Sequence, residues 1–244
     1  MKKKLPIFFL FILSATLIMA QNVNAERIPL IGEKAPAFTA ETTNGLLNFP
    51  ADFGRNWKIL FSHPRNFTPV CTSEVLQLGR MQETFEELGV SIAIISVDHL
   101  SDHFRWKKSL EEINQEGKEP VKIRFPFIDD FKTKVSRSYG MVLENGTDVK
   151  DVRGVFIINP DNIIQAIIFY PLQMGRNMDE IVRAVMALQT ANSHIFTPVN
   201  WNPGDDVLSR ASPYLDPALK DSAEITKFYY KVGEVMWYKR MSEK

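Results

Sequence analysis

Cys71 is the only cysteine in this chain of 244 residues, and it follows the segment Ser62-His63-Pro64-Arg65-Asn66-Phe67-Thr68-Pro69-Val70. The thiol sits between an apolar, strand-like run and an amphipathic, helical one, at a helix start. The first turn of a helix carries unpaired N–H groups and the positive end of the macrodipole. Both favour thiolate over thiol, and the thiolate is the nucleophile. A lone cysteine is also a small apolar side chain that a core can bury without using it, so the neighbours must decide between the two readings.

The surrounding elements can be read from periodicity and turn residues. Leu46 to Phe49 and Trp57 to Ser62 read as strands, and the second runs straight into the cysteine segment. Val75, Leu76, Leu78, Met81, Phe85 and Leu88 fall at helical spacing from Ser73 to Leu88, with Gly89 as the stop. Val90 to Val97 is rich in β-branched residues and reads as a central strand. A helix over Ser101 to Ile113, a strand over Pro126 to Asp129 and a short helix over Lys132 to Tyr139 follow. Two strands, Gly154 to Ile158 and Ile163 to Tyr170, flank the turn-forming Asn159-Pro160-Asp161-Asn162. Met178 to Thr190 reads as a last amphipathic helix. This alternation implies an α/β sandwich.

Phe196 to Gly204 is a proline-marked connection into a tail with Tyr214, Phe228, Tyr229, Tyr230, Trp237 and Tyr238. The tail reads as an arm whose aromatics pack against a second subunit or back on their own domain.

At the other end, Met1-Lys2-Lys3-Lys4, an apolar run from Leu5 to Met19 and small residues at Ala20 and Ala25 form the pattern of a secretory signal peptide over residues 1–25. The expectation is export to a periplasm or the extracellular medium, with no membrane anchor in the mature form. Lysine plus arginine and aspartate plus glutamate number 29 each. Loss of Lys2, Lys3 and Lys4 leaves a mildly acidic protein, which gives no electrostatic ground for a nucleic-acid partner. Exported proteins use cysteines mostly in pairs, so a single thiol in such a chain invites a chemical explanation.

Pro64, Thr68 and Cys71 make the spacing Pro-x-x-x-Thr-x-x-Cys. With Phe61-Ser62-His63 before it and Thr72-Ser73-Glu74 after it, the segment resembles the peroxidatic signature of peroxiredoxins. Asp151 to Pro160 resembles the strand that brings that family's active-site arginine, here Arg153. Tyr170-Pro171 through Gly175-Arg176 to Ile181 resembles its next block, and Thr197 to Trp201 resembles the link to the arm of the one-cysteine subfamily. The resemblance implies an α/β, thioredoxin-like sandwich over residues 28–195, with a central mixed sheet flanked by helices. It also implies a C-terminal arm or small domain over 196–244 that contacts the partner of a homodimer or higher homo-oligomer.

Peroxide reduction is displacement on oxygen, so charge must be held on the attacking sulfur and on the departing oxygen. Arg153 has a permanently charged fork that suits both ends; a salt bridge to a buried carboxylate is its other reading. Thr68 lies three residues before Cys71 and can bracket a two-oxygen substrate or serve as an N-cap. Pro64, without an N–H, can cover the sulfur without competing for it, or simply end the strand. The resemblance makes Glu74 and Arg176 a supporting pair that orients Arg153, with a surface ion pair as the plain alternative. It gives His63 a modulating role near the sulfur; a core histidine is the other reading.

His99 and His103, with Asp98 and Asp102, lack a third nitrogen ligand, so neither a metal nor a cofactor is expected. Relatives with a phospholipase activity use a serine in the region that matches Phe53 to Lys58, which has none here.

The implied activity is a thiol-dependent peroxidase in antioxidant defence, reducing hydrogen peroxide and organic hydroperoxides. Sulfenic acid forms on Cys71. With no second cysteine, recycling needs an external thiol or a thioredoxin- or glutaredoxin-like protein. The competing class is a non-catalytic holdase or assembly module on the same scaffold, for which Thr68 and Arg153 would be superfluous.

Overall fold

The computed structural model describes residues 27–114, 117–145, 147–216, 219 and 222–242; the signal-peptide reading falls outside them. The strands are β1 (Phe38–Thr42), β2 (Gly45–Phe49) and β3 (Trp57–Ser62), followed by helices α1 (Pro69–Arg80) and α2 (Gln82–Glu87). Then come β4 (Val90–Ser96), α3 (Leu100–Glu111), β5 (Phe127–Asp129), α4 (Lys134–Ser138), β6 (Val142–Asn145) and β7 (Asp148–Asp151). β8 (Arg153–Ile158), β9 (Ile164–Tyr170) and α5 (Met178–Thr190) complete the main unit.

Seven strands form one mixed sheet in the order β2-β1-β5-β4-β3-β8-β9. β3 pairs in parallel with β4 and antiparallel with β8, so the strand that leads to Cys71 lies beside the strand that opens with Arg153. Side chains alternate across the sheet with the period of 2 that the pleat imposes. Ile59, Phe61, Ile94, Val155 and Ile157 face the layer of α1, α3 and α5. Leu60, Ala93, Ile95, Phe156 and Ile158 face the layer of Tyr139, Phe49 and Val135. Phe61, Ile94 and Phe156 are fully buried, each worth about 1.5–3 kcal/mol of apolar transfer.

The helix read over Ser73 to Leu88 differs in two ways from the expectation. It begins four residues earlier, because Pro69 with its fixed φ occupies the first helical position after an extended Thr68 (φ −93°, ψ 147°). It also breaks at Met81, whose N–H is shared between the carbonyls of Gln77 and Leu78. Gln82 then anchors the next helix through the backbone of Lys122 and Arg124.

The C-terminal region forms a second sheet of four strands: β10 (Ile195–Phe196), β11 (Val207–Ser209), β12 (Tyr229–Val232) and β13 (Met236–Lys239), in the order β10-β11-β13-β12. Helix α6 (Ser222–Phe228) precedes β12. Trp201, Val207 and Ile225 are buried there, and Arg183 of α5 donates to the Trp201 carbonyl at 3.0 Å. Tyr230 stacks on Tyr238 with ring centroids 5.2 Å apart, while Tyr214 is more than half exposed.

Candidate active site

Cys71 is the third residue of α1 and is wholly buried. Glu74, Val75 and Leu78 follow it at helical spacing on the inward face, so α1 carries one carboxylate in an otherwise apolar stripe. That carboxylate gathers the site. Arg153 Nη1 donates to Glu74 Oε2 at 2.7 Å and lies 3.3 Å from Cys71 Sγ. Its Nε and Nη2 both donate to the Leu172 carbonyl, at 2.9 and 2.7 Å.

Arg176 donates three times to Glu74, from its backbone N–H, Nε and Nη2, at 2.7 to 2.9 Å. Its Nη1 bridges the carbonyls of Ser62 and Gly154, and its guanidinium lies 3.3 Å from the centroid of the Phe61 ring. The pair expected as a surface alternative is therefore buried: Glu74 and Arg176 side chains are 2% and 1% exposed. Arg153 combines its two readings, since it is paired with a buried carboxylate and touches the sulfur.

Burial pushes the Glu74 carboxyl up, but the hydrogen bonds and charge of Arg176, then the charge of Arg153, outweigh it and leave it below its ordinary value. Burial lowers Arg176, opposed by Glu74. Two guanidiniums and one carboxylate leave one positive charge in excess beside Cys71.

Ser62 aims the arginine. Its hydroxyl donates to the Val152 carbonyl at 2.6 Å and accepts from the Gly154 N–H at 2.8 Å, bracketing Arg153. A Cβ on Gly154 would come within 2.9 Å of both Ser62 Oγ and the Phe169 ring. The pattern of a polar residue at the end of an apolar strand was the available signal for Ser62.

Pro64 is buried on the loop before α1. Thr68 occupies the N-cap position, yet its hydroxyl donates to the Arg65 carbonyl at 3.1 Å rather than to a helix N–H; its own carbonyl accepts from Thr72. His63 makes no hydrogen bond to Cys71. Its Nε2 pairs with Asn66 Oδ1 at 2.9 Å, and Asn66 Nδ2 reaches His103 Nδ1 at 3.1 Å.

Asn66, absent from the sequence reading, thus joins two fully buried imidazoles, and its backbone N–H donates to Asp98. Burial pushes His63 down to about 4 against the Asn66 hydrogen bond, and it lowers His103 as well. Both rings are neutral at pH 7. His99, by contrast, is exposed and stacks on Phe131, so the two histidines weighed as ligands face different surroundings.

The AhpC/TSA family model matches residues 31–167. A peroxiredoxin of Methanosarcina mazei is 46% identical over 183 residues, covering 74% of this chain and 84% of its own. Peroxiredoxin-6 of Bos taurus is 40% identical over 185 residues, covering 73% of this chain and 82% of its own. Among solved structures, a yeast mitochondrial 1-Cys peroxiredoxin, described with a thiol resolving mechanism via glutathione/thioredoxin systems, superposes with a TM-score of 0.73 at 32% identity. It covers 87% of this chain and 99% of its own.

Proposed function

The chain belongs to the AhpC/TSA family of peroxiredoxins, thiol peroxidases on a thioredoxin-like fold, and on that premise we propose that its sole thiol reduces hydrogen peroxide and organic hydroperoxides and is recycled from outside. The observation that carries this reading is the contact of Arg153 Nη1 with Cys71 Sγ at 3.3 Å, inside a cluster with one uncompensated positive charge.

In the reaction, the Cys71 thiolate attacks the terminal oxygen of the peroxide. The S–O bond forms as the O–O bond breaks, sulfur is oxidised to sulfenic acid, and the departing hydroxide or alkoxide takes up a proton as water or alcohol. The guanidinium fork of Arg153 favours the thiolate before attack and stabilises negative charge as it moves to the leaving oxygen. Pro64 contributes no donor that would compete for the sulfur, and the Thr68 hydroxyl, whose proton points to Arg65, offers lone pairs to a peroxide O–H. Glu74 and Arg176 hold Arg153 in place.

Recycling takes two external thiols. The first condenses with the sulfenic acid, releasing water and leaving a mixed disulfide; the second displaces it as a disulfide and restores Cys71. A glutathione-type thiol or a thioredoxin- or glutaredoxin-like protein fits this role. Because Cys71 is wholly buried, access requires the first turn of α1 to open. Export after removal of residues 1–25 and assembly as a homodimer through the C-terminal sheet complete the proposal.

Peroxide consumption with excess dithiol, and mass spectrometry after one equivalent of peroxide with a sulfenic-acid trap, test it. The expected result is one trapped adduct on Cys71 and no turnover in Cys71→Ser. Turnover that survives Cys71→Ser rules the mechanism out.

A further inference from the structure

Asp98, weighed above as a metal ligand with His99, His103 and Asp102, follows the end of β4 and reaches the active-site loop. Its Oδ2 accepts from the Asn66 N–H at 2.8 Å and from the hydroxyl of the fully buried Ser96 at 2.7 Å, so the carboxylate is itself held. The Asn66 N–H and the Arg65 carbonyl belong to one trans peptide unit, whose two polar groups point in opposite directions. On the far side of that unit the Arg65 carbonyl accepts from the Thr68 hydroxyl at 3.1 Å. A chain of hydrogen bonds therefore runs from Asp98 through a single amide to the Thr68 oxygen.

The turn that closes this chain does not form by local preference. Phe67 sits in it at φ 59°, a left-handed conformation that is costly for a residue with a Cβ. Its ring is half exposed and lies against Arg105, so core packing does not hold it there. The side chains on either side of the amide are anchored: Asn66 between His63 and His103, and Arg65 on the Val149 carbonyl at 2.9 Å and on Asp148 at 3.3 Å. The group that grips the amide plane itself is Asp98.

A hydroxyl has one proton and two lone pairs. With its proton on the Arg65 carbonyl, Thr68 keeps both lone pairs for a peroxide O–H. A carboxylate at the N–H end also polarises the amide, which makes its carbonyl a stronger acceptor for the Thr68 proton.

Resting on the peroxidase reading, we propose that Asp98 is a positioning residue of the site. Through the Arg65–Asn66 peptide unit it fixes which way the Thr68 hydroxyl turns, so that Thr68 accepts from the peroxide while the Cys71 thiolate attacks. Without Asp98 the amide plane rotates and the hydroxyl turns its proton toward the substrate, where it opposes the peroxide O–H.

The test is a double-mutant cycle on the second-order rate constant of Cys71 oxidation by hydrogen peroxide, followed in the full chain by quenched-flow mass spectrometry. Asp98→Ala is expected to slow oxidation about tenfold, the loss of one oriented hydrogen bond. Asp98→Asn keeps the shape and an acceptor oxygen, guards against misfolding of the alanine variant, and is expected to slow oxidation about two- to threefold as a charge-assisted bond becomes a neutral one. Thr68→Val is slow by itself, and in that background neither change at Asp98 has a further effect; Thr68→Ser, which keeps the hydroxyl, restores the sensitivity. A merely structural role for Asp98 would lower the rate by the same factor in both backgrounds, and that result overturns the inference. So does a folded Asp98→Asn and a folded Asp98→Ala that react as fast as wild type, or a Thr68→Val that does. In each of these cases wild type still reacts and the peroxidase reading stands, whereas wild-type Cys71 that peroxide does not oxidise overturns both.

Discussion

Two buried polar clusters lie close to the active-site loop, one centred on Glu74 and one on Asn66, and they solve burial in opposite ways. Around Glu74, two guanidiniums and a carboxylate remain charged, and each guanidinium nitrogen has an acceptor: Glu74 itself or the carbonyls of Ser62, Gly154 and Leu172. Around Asn66, His63 and His103 shed their charge, and His63 Nδ1 and His103 Nε2 have no hydrogen-bond partner among the described residues. A charge survives burial only where hydrogen bonds and counter-charges surround it. Where the surroundings supply one amide and little else, titration to the neutral form costs less. The first arrangement maintains a positive field at the sulfur, and the second adds none.

The largest effect is expected from removing the charge at the centre of the first cluster. Glu74→Gln leaves Arg153 and Arg176 buried with no carboxylate between them, and stability should fall by about 3–5 kcal/mol. Urea denaturation followed by circular dichroism measures it. A loss below about 1 kcal/mol would mean that the backbone carbonyls alone support both guanidiniums, and the contrast between the clusters would lose its basis.

The two clusters also differ in how far the sequence disclosed them. Pro64, Thr68 and Cys71 stand within one short motif, so their neighbourhood is legible locally. That Arg153 and Arg176 meet Glu74 across 79 and 102 residues is not. No local pattern carries that distance, and only the resemblance to a family located them. Asn66 and Ser62 escape for another reason: a polar residue in a loop and a polar residue closing an apolar strand both look ordinary, and their value appears only when His103 and Gly154 arrive from other elements.

The strands and helices of the main sheet follow their periodicity closely, and Met178 to Thr190 is the helix its spacing predicts, capped by Asn177. The C-terminal sheet gave no such signal. Its strands are two to four residues long, and β11 finds its partner β13 across a helix and a hairpin, so there is no periodic run to read.

The second effect is a pH dependence that belongs to the Asn66 cluster. In the unfolded chain the His63 imidazole takes up a proton near ~6.5, and in the folded chain only near about 4. Between those values the unfolded state holds more protons, so stability is intact above the upper limit and drops as pH falls through the window. The loss should reach on the order of 3 kcal/mol at its lower end. Groups facing the ring are His103 and Arg176, which oppose its protonation, and Asp98, which favours it.

Asp151 and Asp130, whose carboxyls burial pushes up, work the other way: each contributes more stability as pH falls toward the ordinary carboxylate range. The comparison of wild type with His63→Gln from pH 4 to 7.5 isolates the histidine. If the two stability curves run parallel, His63 is not held neutral by its surroundings.

The smallest effect is also the sharpest test of how the Asn66 cluster is wired. In the observed orientation the amide oxygen accepts from His63, which places that ring's proton on Nε2, and the amide nitrogen donates to His103, which leaves Nδ1 of that ring bare. Asn66→Asp keeps the shape and removes the donor. An oxygen then faces His103 Nδ1, and the ring must carry a proton there, either by exchanging tautomers or by gaining charge.

The stability change at pH 7 should stay within about 1–2 kcal/mol, since one hydrogen bond is exchanged for a charge-assisted one. The ¹⁵N chemical shifts of His103 should show its proton moving from Nε2 to Nδ1, while those of His63 keep the proton on Nε2. Shifts that place the His103 proton on Nδ1 already in the wild type would reverse the amide. His63 would then offer an N–H rather than a lone pair from its unpartnered nitrogen, and the Asn66 cluster would face its surroundings as a donor.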